Sequence, residues 1–112
     1  GARGAPALIS VTVAPQKANG KPWDAGGGAP DIAICVSTPT GTSCTPDGTS
    51  IGAVVRPACR DAYQCSFRTA IPSGDVTIDV VDVDVAVNDT IGSGTCSRGR
   101  TCRLGQATVS IQ

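Results

Sequence analysis

The 112-residue chain carries nine basic and nine acidic side chains, so its net charge is zero and nothing in it favours nucleic acid as a partner. The length suits one domain, and fourteen glycines, eight prolines and a preference for Val, Ile and Thr over Leu and Met describe short strands and turns rather than helices. Six cysteines imply an oxidising compartment, and the lack of histidine removes the usual general base and the commonest zinc ligand, so an enzyme is not expected.

Residues 1–6, Gly-Ala-Arg-Gly-Ala-Pro, read as a flexible lead-in from a larger secreted protein, and 7–112 as a single domain. No run reaches the roughly 18 consecutive apolar residues of a membrane span. The first predicted strand is Ala7 to Val13, where Ile9, Val11 and Val13 share one face. A loop rich in Gly and Pro follows over 15–30, and Asp31 to Val36 restores the alternation with Ile32, Ile34 and Val36. Thr38-Pro39-Thr40-Gly41 has the residues of a type I turn, which returns the chain antiparallel and brings Cys44 opposite Cys35.

Ser50 to Arg56 and Cys65 to Ile71 are weaker predicted strands. Asp75 to Val81 is the clearest one. A loop then runs to Asp89, and further strands are predicted around Ile91 to Cys96 and over Cys102 to Ile111. The expected fold class is all-β, an antiparallel β-sandwich of about eight strands. The cysteine spacings do not match the Cys-x-x-Cys pairs of structural zinc sites, so disulfides are the simpler account. Several connectivities satisfy six cysteines; the sequential one closes each link across a hairpin or tight loop and is the expected one. It joins Cys35 to Cys44, Cys59 to Cys65 and Cys96 to Cys102.

All nine acidic residues are aspartate. Val76, Ile78 and Val80 define the core face of their strand, and Asp82 and Asp84 continue that parity. Unpaired carboxylates do not follow aliphatic residues into a core, so the strand passes the sandwich rim there or a cation meets them. Residues two apart on a strand lie about 6.6 Å apart, close enough to lean onto one ion. Calcium takes roughly six to eight oxygens at about 2.4 Å, so a second loop must contribute. The candidate is Asp24-Ala-Gly-Gly-Gly-Ala-Pro-Asp31, whose glycines permit close approach of backbone carbonyls. The same aspartates are also ordinary turn and rim residues if no ion is bound.

A loop with Asp at both ends, the second opening a strand, followed by Asp82-x-Asp84 and then Asp89-Thr90-Ile91-Gly92, resembles the C2 domains. The resemblance covers most of the chain, and Arg60 to Phe67 keeps the aromatic positions of a further stretch of that family. It implies calcium held between two loops at one end of an eight-stranded sandwich by Asp24, Asp31, Asp82, Asp84 and one of Asn88 or Asp89. It also implies docking to membrane lipid or a protein partner, with Val85, Ala86 and Val87 at the loop tip. The step from Asp84 to Asp89 is one residue shorter than the family's commonest pattern, which makes Asn88 the alternative ligand to Asp89. The lysine-rich strand of many lipid-binding members is absent, and six cysteines are foreign to the intracellular members.

The expected function is a calcium-binding recognition or accessory module of a protein that is secreted, periplasmic or on the cell surface. The alternative is a disulfide-stabilised structural or adhesive sandwich that binds no metal; an inhibitor-like disulfide scaffold stands third. Trp23 is expected to pack as a lid beside its loop. Arg98, Arg100 and Arg103 are expected in a basic hairpin at the end opposite the aspartate loops.

Overall fold

The computed structural model, which describes residues 4–23, 26–85 and 87–112, is an antiparallel β-sandwich of two four-stranded sheets. The strands are β1 Ala5–Val13, β2 Ile32–Thr38, β3 Gly41–Thr45, β4 Gln64–Ile71, β5 Asp75–Asp82, β6 Asp89–Ser97, β7 Thr101–Leu104 and β8 Ala107–Ile111. One sheet has the order β4-β1-β8-β7 and the other β3-β2-β5-β6. The alternation in the sequence is what closes them face to face. Ile9, Val11 and Val13 of β1, Ile32, Ile34 and Val36 of β2, and Val76, Ile78 and Val80 of β5 are all buried, with Phe67 and Ile71 of β4 and Val109 and Ile111 of β8 completing the core. Each such side chain contributes about 1.5–3 kcal/mol over an exposed one.

Three disulfides pair the cysteines in sequence order. Cys35 and Cys44 stand directly opposite in the β2–β3 ladder, with Cα atoms 4.0 Å apart. The Cys44 N–H turns away from β2 to the Gly48 carbonyl, so this is a non-hydrogen-bonded pair, the closer of the two kinds. The other two links tie the sheets together. Cys96 of β6 reaches Cys102 of β7, and Cys59, bridged to Ile32 at the start of β2, reaches Cys65 of β4. Links across such short loops are each worth about 2–3 kcal/mol in the chain-entropy account, and they fit an oxidising environment. Among the described residues no helix is long and apolar enough to cross a membrane.

Three expectations are corrected. The stretch Ser50 to Arg56 is not a strand: Ile51–Ala53 forms one turn of 3-10 helix. Its Ile51 and Val54 cover Ala33, Cys35 and Cys44 on the outer face of β2, a second small apolar cluster that uses the alternating residues without pairing them. Cys102 to Ile111 is two strands, because Gly105 takes a positive φ of 59° and Leu104 pairs with Ala107 across a tight turn. β1 also begins at Ala5, so Ala5 and Pro6 are paired residues of the sheet, opposite Ile71 and Ala70, rather than lead-in.

The sandwich is closed along its β6–β7 side by backbone contact. A Cβ on Gly92 would lie 1.6 Å from the Leu104 carbonyl oxygen, so only glycine fits there. At the end opposite Asp31 and Asp82, as expected, sits Arg98. Its guanidinium donates to the carbonyls of Pro6, Ala5 and Ile71 at 2.9, 3.0 and 3.1 Å, clipping the β6–β7 hairpin to the ends of β1 and β4.

Candidate functional site

The register of β2 and β5 brings the aspartates of two distant segments to one rim. Ile32 pairs with Asp82, so Asp31, the residue before β2, lies beside the last residue of β5. Its N–H donates to Asp82 Oδ1 at 3.0 Å, and the Val83 N–H donates to its carbonyl at 2.8 Å. Asp82 is 2% exposed, so the strand's apolar parity does carry a carboxylate into the interior. It does so where the Asp31 N–H is at hand to receive it, which offsets part of the burial penalty.

A third segment joins them. Asp61 has a positive φ of 50°, a conformation that Asp tolerates better than most residues. Its N–H donates to Asp31 Oδ1 at 2.8 Å, while its own Oδ1 accepts from the Ala29 N–H at 2.9 Å. The Ala62 N–H closes on the Pro30 carbonyl at 2.9 Å. The segment held by the Cys59–Cys65 link is thereby clipped to the stretch that leads into β2. Sequence reasoning missed Asp61; its signal was an aspartate close behind a cysteine in a segment with no strand pattern.

The β5–β6 loop forms the other wall. The Asp84 N–H donates to Asn88 Oδ1 at 2.9 Å, and Asp84 Oδ1 accepts from the Val85 N–H at 2.8 Å. Asn88 Nδ2 donates to the carbonyls of Ile51 and Val54 at 2.9 and 2.7 Å. Both ends of the Asn88 amide are therefore engaged with the protein. Between these walls lies a cleft of about 530 Å³, lined by Asp31, Asp84 and Arg60 and flanked by the exposed Val55, Val85 and Val87.

Asp89 opens β6 opposite Asp82, but its Oδ2 lies 3.8 Å from Lys17 Nζ in a separate hollow beside Trp23. Trp23 is buried in the core and donates from Nε1 to the Ala14 carbonyl at 2.8 Å, so it packs as expected. Asp47 does not line the cleft and pairs with Arg56, which raises the Arg56 pKa through the hydrogen bond and the opposite charge.

Of the six expected ligands, Asp31 and Asp82 are joined at one rim, Asp84 and Asn88 form the facing wall of the cleft, Asp89 turns aside, and Asp24 lies outside the described residues, as does Ala86 of the loop tip. Hard carboxylate oxygens suit calcium in kind. In number they fall short: among the described residues no three of His, Cys, Asp or Glu gather as a metal-holding group. The remaining oxygens would have to come from Asp24 and from backbone carbonyls. The N–H bonds to Asp31, Asp82 and Asp84 are of the kind that orient ligating carboxylates, and equally of the kind that hold a turn. The chain matches no protein-family model and no curated protein.

Proposed function

We propose that the chain is a calcium-binding recognition module of a secreted or cell-surface protein, similar to the C2 domains in its aspartate pattern, with binding rather than catalysis as its role. The observation that carries this reading is the pairing of Asp31 with Asp82 at the rim, with Asp84 in the same cleft. Two chain segments fifty-one residues apart are joined there, the Asp31 N–H on the Asp82 carboxylate, beside a hollow lined by Asp31 and Asp84 and flanked by exposed valines. Like charges gathered there repel, and a divalent cation relieves that repulsion.

A second reading has its own support. Each of Asp31, Asp82 and Asp84 accepts a backbone N–H, which suffices to explain short carboxylates at those positions in a sandwich that binds no metal. Thermal melting separates the two. Calcium at a hundredfold excess over its dissociation constant stabilises by about 2.7 kcal/mol and raises the midpoint, while magnesium, which demands a tighter octahedron, does little. A midpoint that is the same in chelator and in millimolar calcium supports the metal-free sandwich instead.

A further inference from the structure

Three of the four sheet edges are protected. β3 and β7 are short, with five and four residues. β6 is covered by the β7–β8 turn, where the Gln106 N–H bonds the Ile91 carbonyl and Leu104 lies against Gly92, and its ladder to β5 is bulged at Val80 and Val81. These are the usual ways in which an edge is kept from pairing. β4 has none of them. Its eight residues run in unbroken register with β1, without proline, lysine or bulge, and Arg68 is its one charge.

The bonding pattern shows which groups face outward. The Val13 N–H donates to the Tyr63 carbonyl, and Leu8 exchanges both bonds with Gln112. Backbone bonds of an antiparallel strand alternate sides. Odd-numbered residues of β4 therefore bond β1, and Gln64, Ser66, Arg68 and Ala70 turn their N–H and C=O groups to the open edge. All four are exposed.

We propose that this edge is an interaction surface for a second copy of the chain, with the two β4 strands pairing antiparallel about a two-fold axis at Phe67. A chain of zero net charge does not repel its copy. The axis at Phe67 sets Ser66 opposite Arg68 and Gln64 opposite Ala70, so every outward-facing residue of one strand meets an outward-facing residue of the other. Moving the axis to Arg68 sets two guanidinium groups directly opposite and gives Gln64 Pro72 as partner, which has no N–H. Moving it to Ser66 leaves Ala70 opposite Ala62, outside the strand. The two four-stranded sheets that contain β4 then join as one of eight.

Sedimentation velocity over a concentration series, in calcium and again in chelator, tests this together with hydrogen exchange. The expected result is a shift from 11.1 kDa towards twice that mass as concentration rises, the same in both buffers. With it, the Ser66, Arg68 and Ala70 amides gain protection, while those of Cys65 and Phe67, already bonded to β1, do not change. Ser66→Pro removes only an edge-facing N–H and is expected to keep its β spectrum and remain monomeric. A monomer at every concentration overturns the proposal. So does a dimer in which the Ser66 and Arg68 amides stay unprotected, since another surface then makes the contact. If Ser66→Pro fails to fold, the exchange pattern of the native chain decides alone.

Discussion

Replacing Asn88 with aspartate exchanges one side-chain nitrogen for oxygen, and two carbonyl oxygens face that atom. Asn88 Nδ2 is shared between Ile51 and Val54, at 2.9 and 2.7 Å, and it joins the β5–β6 loop to the 3-10 turn that covers β2. Asn88→Asp keeps the acceptor for the Asp84 N–H but turns the double donor into a carboxylate oxygen. A neutral hydrogen bond contributes about 1 kcal/mol net, and a buried acceptor left without a donor costs about 1–3 kcal/mol. With two bonds lost at a part-buried position, the variant should be less stable by roughly 2–3 kcal/mol, which lowers the melting midpoint by about 10 °C in a domain of this size. Trp23 fluorescence or circular dichroism in chelator reads the shift directly. Asn88→Ala should fall in the same direction, because it leaves the same two carbonyls without their donor and also removes the acceptor of the Asp84 N–H. A midpoint unchanged in chelator refutes the account of Asn88 as a stitch. An Asn88→Asp chain more stable than the native one in calcium makes the residue a ligand instead.

Four further substitutions at three positions probe the frame of the sandwich. Gly92→Ala sets a Cβ 1.6 Å from the Leu104 carbonyl oxygen and 2.5 Å from its carbon; both are backbone atoms, so the loss should be at least about 3 kcal/mol. Gly52→Ala, with open space around it, should be near neutral; urea titration of both variants reads the difference. Arg98→Ala removes three charge-assisted bonds to carbonyls at the far end and should cost about 1.5–3 kcal/mol without altering any calcium response. Arg98→Lys should recover little of that in thermal melts, because a point ammonium cannot reproduce the guanidinium fork.

The sandwich could be read from the sequence because its strands are half-buried and alternate strictly: Ile9, Val11 and Val13 or Val76, Ile78 and Val80 state both the element and its inner face. The sequential disulfides followed from the same logic, since the Pro39-Thr40 turn fixes Cys35 opposite Cys44. Where reading failed, tertiary packing used a local pattern for another purpose. Ile51 and Val54 alternate poorly because they cover a sheet rather than join it, and the apolar parity changes between Leu104 and Ala107 because a turn intervenes. At the rim, the neighbourhood of Asp31 and Asp82 was legible from the strand ends that carry them. The contributions of Asp61 and Asn88 were not, because each acts through backbone groups that lie about thirty residues away or more.

Calorimetric titration with calcium after exhaustive chelation tests the central reading most directly, run on the native chain, Asp82→Asn and Asp47→Asn. Asp82 stands at the rim beside Asp31, whereas Asp47 does not line the cleft and is paired with Arg56. The account predicts saturable heat for the native chain, the same heat for Asp47→Asn, and weakened binding for Asp82→Asn. The absence of heat from the fully folded native chain at millimolar calcium contradicts it, and leaves a disulfide-braced sandwich whose aspartates serve only to hold its loops.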